Sequence, residues 1–122
     1  MGGIAGNTAP NGAKAWVNFD GTGTIGTNMA IRASFNVSSV FKNTTGDFTI
    51  NFSNPLPDGN YAVVVSCTGD ITGTSAYFGP DIRPVSTALI TGAGSLTASS
   101  ARIRTRATNT SDTDVVTATI FR

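Results

Sequence analysis

From Ala15 onward the chain runs in short blocks of alternating apolar and polar positions, each ended by a cluster of turn-forming residues. Asp47 to Phe52 is the plainest block. Phe48, Ile50 and Phe52 fall on one face of a strand there, and Asp47, Thr49 and Asn51 on the other. Ala15 to Phe19 sets Trp16 opposite Val17 and Phe19. Ala30 to Val40 reads as one longer strand, with Ile31, Ala33, Phe35 and Val37 facing away from Arg32, Ser34 and Asn36. Tyr61 to Cys67 is apolar on both faces and is expected in the middle of a sheet. Ala76 to Phe78, Ser86 to Ile90, Ser100 to Ala107 and Val115 to Phe121 bring the total to about eight strands, with turns at Asp20 to Gly23, Lys42 to Asp47, Ser53 to Asn60 and Thr108 to Asp112. The expected fold is all-β, an antiparallel β-sandwich of jelly-roll type over residues 15–122. Residues 1–14, rich in Gly, Asn, Ala and Pro without an apolar period, read as a flexible N-terminal arm or tether.

Composition strengthens the strand reading. Among 122 residues there is no Glu, Gln or His, and Gly contributes 14, so good helix formers are scarce while Thr, Ser, Asn and Val abound. The length suits one domain. Eight basic and seven acidic residues leave a net charge of +1, which provides no electrostatic footprint for nucleic acid or for a membrane surface. Met1 to Gly6 lacks the basic start and apolar core of a secretion signal, so the expectation is a product held in a cytoplasm until it is assembled or released.

Candidate chemistry is sparse. Gly21-Thr22-Gly23-Thr24-Ile25-Gly26 has the spacing of a dinucleotide-binding loop, but an alternating strand follows where a helix would be needed, so a turn is the expectation. Without His and without a carboxylate pair in an evident pocket, general acid and base catalysis has no residues to use, and the chain reads as no enzyme. Cys67 is alone, which rules out an internal disulfide and leaves a cysteine-based zinc site short of ligands. It reads as a small buried apolar residue. The Asp58 and Asp112 to Asp114 segments lack the length and charge of a calcium loop, so no metal or cofactor is expected.

Two constellations remain. Arg102, Arg104 and Arg106 recur every second residue, which places three guanidinium groups on one face of a strand. They suit sulfate, phosphate or uronic-acid groups of a surface polysaccharide, or else acidic groups and carbonyls of a neighbouring subunit, or a solvated edge. Val115, Val116, Ile120 and Phe121 put apolar groups on both faces of the last strand, which is either packed against another copy or sandwiched in its own domain.

Several blocks carry a family resemblance. Lys14-Ala15-Trp16-Val17-Asn18-Phe19-Asp20-Gly21-Thr22-Gly23, Ile31 to Ser39, Thr45-Gly46-Asp47-Phe48-Thr49-Ile50-Asn51-Phe52 and Pro55 to Val64, with the closing Ala118-Thr119-Ile120-Phe121-Arg122, resemble a domain of tail-fibre-like structural proteins of cyanobacterial and marine phages. None of these blocks is catalytic. The resemblance implies a homotrimer on a virion, attached to other virion proteins in tail or capsid through the arm, and a tip that meets host surface polysaccharide. No shaft precedes the domain in this sequence, so a capsid decoration protein clamping neighbouring capsid subunits stands as the alternative expectation.

Overall fold

The computed structural model describes residues 12–67, 81–82, 96–105 and 112–122. Among the described residues the strands are β1 (Ala13–Phe19), β2 (Ile31–Phe35), β3 (Val37–Thr44), β4 (Asp47–Phe52), β5 (Ala62–Cys67), β6 (Asp81–Ile82), β7 (Ser100–Arg104) and β8 (Val116–Phe121). They form two antiparallel sheets, in the orders β2-β1-β8-β5 and β3-β4-β7-β6. The chain is therefore an all-β sandwich, as the alternation predicts. Its path exchanges sheets between β2 and β3, β4 and β5, β5 and β6, and β7 and β8, while the first and last strands lie side by side.

The core is what the inward half of each alternating block supplies. Ala15, Val17 and Phe19 of β1 and Val116, Ala118 and Ile120 of β8 meet Val40 of β3, Phe48 and Ile50 of β4, and Ala101 and Ile103 of β7, all fully buried. Two edge-to-face ring pairs cross between the sheets, Phe19 with Phe48 at 4.9 Å and Phe52 with Tyr61 at 5.9 Å between centroids.

Four expectations change. The strand read from Ala30 to Val40 is broken at Asn36, which adopts a left-handed φ of 56° and turns the chain from one sheet to the other. Its amide donates to the Lys14 and Asn54 carbonyls at 3.1 Å each, and its Oδ1 accepts the Asn54 N–H at 2.7 Å, so the corner is held by the side chain that makes it. Ala33 and Phe35 consequently point to solvent and not into a core. Second, β3 runs on through Lys42 and Asn43, and the turn shrinks to Thr45-Gly46, where Gly46 supplies the positive φ of 70°. Third, β5 lies at the end of its sheet among the described residues, with Val64 exposed, in place of the middle position expected from its two apolar faces. Fourth, Ala13 and Lys14, expected in the arm, belong to β1. The strands expected at Ala76 to Phe78 and Ser86 to Ile90 lie outside the described residues, as do residues 1–11.

The free edge of β3 is closed by the β1–β2 loop. Gly26 N–H donates to the Lys42 carbonyl at 2.9 Å, Lys42 N–H to Thr27 at 3.0 Å and Met29 N–H to Val40 at 2.7 Å, which continues the ladder without a further strand. The glycine-rich segment thus serves as an edge cover and leads into β2, in keeping with the turn expected of it.

Candidate functional site: two outer faces and two tied ends

On the β4 sheet the outward positions are mostly polar and paired, with Phe41 the exposed apolar exception. Arg102 grips Asp47 with both arms of its fork, Nε to Oδ1 at 2.9 Å and Nη2 to Oδ2 at 3.0 Å. Asn43 Nδ2 donates to Asp47 Oδ1 at 3.1 Å and to Thr49 Oγ1 at 2.9 Å, and Asn51 Nδ2 donates to Ser39 at 3.0 Å. The bond to the carboxylate holds the Arg102 guanidinium pKa above its ordinary value, against the opposing effect of burial. Arg104 stands opposite Asp47 in the ladder and has an interaction of its own. Of the arginine row, then, Arg102 is closed on an acid of its own chain, Arg104 is engaged, and Arg106 lies outside the described residues.

On the β1 sheet the outward positions are apolar or neutral. Trp16, Phe35, Val64 and Phe121 are all exposed. The register sets Phe35 beside Trp16, Trp16 beside Thr119 and Thr119 beside Val64, one continuous row across four strands, with Phe121 beside Ala62 towards one end. Sequence reasoning left Val115, Val116, Ile120 and Phe121 either as a contact with another copy or as a strand sandwiched in its own domain. The structure places the Val116 and Ile120 side chains wholly inside the protein's own core, because they are on the inward half of the β8 alternation, and leaves Val115 half-buried ahead of the strand. Of that group only Phe121 reaches the outer face. The exposed apolar positions of this sheet were signalled by the placement of Trp16 opposite Val17 and Phe19 and by the doubly apolar β5.

The two ends of the sandwich are tied by polar side chains that cross from sheet to sheet. At the end where β1 finishes and β8 begins, Lys42 is turned inward from β3 and fully buried. Its Nζ donates to Gly21 O at 3.0 Å, Gly23 O at 2.7 Å and Asp112 Oδ2 at 2.6 Å, three acceptors for three N–H groups. The other carboxylate oxygen of Asp112 accepts the Gly46 N–H at 3.1 Å. Arg32 closes the same end, donating to the Asp114 carbonyl at 2.7 Å. Gly21 must be glycine there, since a Cβ would lie 2.7 Å from the Thr113 carbonyl oxygen. At the opposite end the Tyr61 hydroxyl lies 3.0 Å from the Thr97 carbonyl and 2.8 Å from that of Ser100, and burial pushes its pKa up to about 12. Asp58 accepts the Asn60 N–H and a two-armed bond from Arg122, both of which hold its carboxyl below the ordinary range.

Among the described residues no group of three or more acidic, His or Cys side chains gathers as a metal site. Asp58 and Asp112 are instead engaged by Arg122 and Lys42. Cys67 is partly buried against the core, its Sγ 3.9 Å from the Thr105 carbonyl oxygen.

These features define a class: an all-β sandwich with ends tied by polar side chains, one outer face that is mostly polar and internally paired apart from Phe41, and one that is mostly apolar, where Asn18 accepts from Arg32 at 3.3 Å. No family model matches the chain, and neither the curated proteins nor the solved structures give a match.

Proposed function

We propose that this protein is a structural module of a bacteriophage virion, a jelly-roll that assembles as a trimer on the particle and serves attachment to host-surface glycan. The observation that carries the reading is the unequal pair of outer faces. A sandwich that leaves Trp16 and Phe35 more than a third exposed and Val64 more than half exposed on one face is built to be covered there. The pairing of β1 with β8 and of β4 with β7, and the repeated passage between sheets, are what the two sheets share with a jelly-roll, whereas β1–β2, β3–β4 and β6–β7 pair as hairpin neighbours. The blocks that resemble tail-fibre-like domains fall on β1, on β2 and β3, on β4 and on the approach to β5, so the resemblance follows the framework and not a loop.

Arg102 no longer recommends itself as a grip for oxyanions, since its fork is occupied by Asp47. Attachment is therefore assigned to the loops at the ends of the sandwich. The test is electron cryo-microscopy of phage particles purified from a culture that expresses the chain, with antibody labelling to mark it. Label at the tip of a tail fibre is the expected result. Label spread over the capsid shell would replace attachment with capsid decoration, and purified particles that lack the chain altogether would overturn the virion reading.

A further inference from the structure

We propose that Phe41 and Asn28 form a binding site for a neutral sugar unit, on the outer face of the β4 sheet where the β1–β2 loop joins it. The source of the sugar, a host-surface glycan, follows from the attachment reading above, on which this site rests. One exposed ring on a protein surface needs no explanation by itself. Phe41 is set apart by its surroundings. Among the described residues it is the exposed aromatic side chain of a face otherwise made of Ser, Thr, Asn and paired charges, and a hydrogen-bonding side chain flanks it on either side.

The antiparallel bridge between Asn28 and Phe41 sets the two residues directly opposite each other, so their side chains share one face. Their chain neighbours fix which face it is. Met29, Val40 and Lys42 are buried, and Asn28 and Phe41 therefore point outward. On the far side of Phe41 the register places Thr49 of β4. The row from Asn28 through Phe41 to Thr49 spans roughly 10 Å at ~4.8 Å per strand, a ring with an amide on one flank and a hydroxyl on the other. The Asn28 side chain makes no hydrogen bond among the described residues, and Thr49 Oγ1, which accepts from Asn43 at 2.9 Å, keeps its own proton to donate.

The pair is held from both flanks. Met29 N–H donates to the Val40 carbonyl at 2.7 Å on one side, and Lys42 N–H to Thr27 at 3.0 Å and Gly26 N–H to Lys42 at 2.9 Å on the other. Beneath them the buried Lys42 ammonium holds the Gly21 and Gly23 carbonyls of the same loop. Side chains presented on a backbone fixed in this way are placed before a ligand arrives, which lowers the ordering cost of binding.

These groups match a sugar. A pyranose has a face of C–H groups that lies against an aromatic ring, and a rim of hydroxyls that exchange hydrogen bonds with amides and hydroxyls. Charge selects the class. Arg102 is closed on Asp47 and Lys42 on Asp112, and residues 22–28 carry no ionisable side chain, so a sulfate or a uronate meets no counter-charge in the row beside Phe41. A protein partner fits less well, because Ser39, Asn43, Thr49 and Asn51 around the ring do not supply the apolar centre of a contact of roughly 800 Å² per partner.

The probe is surface polysaccharide extracted from cells of the same culture and separated by anion exchange into neutral and acidic fractions. Added to the purified, isotopically labelled full chain, the neutral fraction is expected to shift the Asn28 side-chain amide in nuclear magnetic resonance spectra, and the acidic fraction to leave it in place. Phe41→Ala and Asn28→Ala should each weaken binding of the neutral fraction roughly tenfold, with the circular dichroism of the β fold retained. Phe41→Tyr, which keeps the ring, should bind as wild type does. Asn28 is exposed and outside the core, so Asn28→Ala carries the test even where Phe41→Ala fails to fold. A wild-type chain that binds neither fraction overturns the site and the attachment reading together. Binding of the neutral fraction that Phe41→Ala and Asn28→Ala leave intact overturns the site alone, and binding of the acidic fraction in its place overturns the neutral class.

Discussion

The β4 sheet turns Asp47, Thr49 and Arg102 outward and closes them on one another through charge and hydrogen bonds, whereas the β1 sheet turns out Trp16, Phe35 and Val64 and leaves each partly exposed. Both faces come from the same period-two alternation on strands of similar length. The difference shows where residue type misleads. An arginine row looks like a binding device until a carboxylate from the adjacent strand is found beneath it, and a tryptophan looks like core until the strand's facing is fixed. Paired charges here do the work of scaffolding, and the exposed Trp16, Phe35 and Val64 are what a binding partner would meet on the other face.

The comparison holds only while the two sheets stay sealed, so the severest way to break it is at Lys42. Lys42→Met keeps the stem and removes the ammonium, leaving the Asp112 carboxylate and two carbonyls without their donor. Because Asp112 retains some contact with water, the cost should fall at the low end for a broken buried pair, about 3 kcal/mol in urea unfolding. Adding Asp112→Asn should recover part of that loss by removing the stranded charge. An unchanged midpoint for the single variant would mean the ammonium is not a strut.

A smaller effect separates the faces themselves. Asp47→Ala strands the Arg102 fork and one Asn43 bond, and since Arg102 is partly exposed the loss should be about 2 kcal/mol, with the oligomer mass unaltered. Arg102→Lys keeps the charge but gives up the two-armed geometry, and should cost about 1 kcal/mol. Were Asp47→Ala to dissociate the oligomer while leaving the fold stable, the polar face would be the interface and the assignment of the two faces would be reversed.

Much of this was legible before the fold was known, and the misses have physical causes. Asp47 to Phe52 reads residue for residue, because β-branched and aromatic residues alternate with short polar ones and a glycine turn precedes them. Asn36 hid a corner, since period two continues straight through it and only its left-handed φ, invisible in sequence, sends the chain to the other sheet. Lys42 was hidden for a different reason. Lys-Asn-Thr-Thr-Gly-Asp has the composition of a turn, and the acid that permits the lysine to face inward lies 70 residues away. The same long range separates Arg102 from Asp47, so the candidate site residues could be named from the sequence but not their partners. On β8 the pattern itself was sufficient: Val116, Ala118 and Ile120 alternate strictly with Thr117 and Thr119, and the doubling of Val115 with Val116 and of Ile120 with Phe121 obscured it.

The mildest test lies at the other seam. Tyr61 precedes β5 and its hydroxyl reaches the Thr97 carbonyl ahead of β7 and the Ser100 carbonyl at its start, so it ties the sheet of the apolar face to that of the polar one. Tyr61→Phe removes one neutral hydrogen bond and should cost about 1 kcal/mol near neutral pH. The pH dependence identifies the cause. Burial raises the folded-state pKa from the ordinary 10.0 to about 12, so ionisation is harder in the folded chain than in the unfolded one. The stability that the neutral hydroxyl contributes is therefore complete below pH 10 and lost as pH rises through about 12. The stability gap between wild type and Tyr61→Phe should be flat up to pH 10 and narrow steadily above it, because the variant has no hydroxyl to ionise. A gap that stayed constant to pH 12 would mean the hydroxyl is wet, and with it the end of the sandwich that keeps the two faces apart.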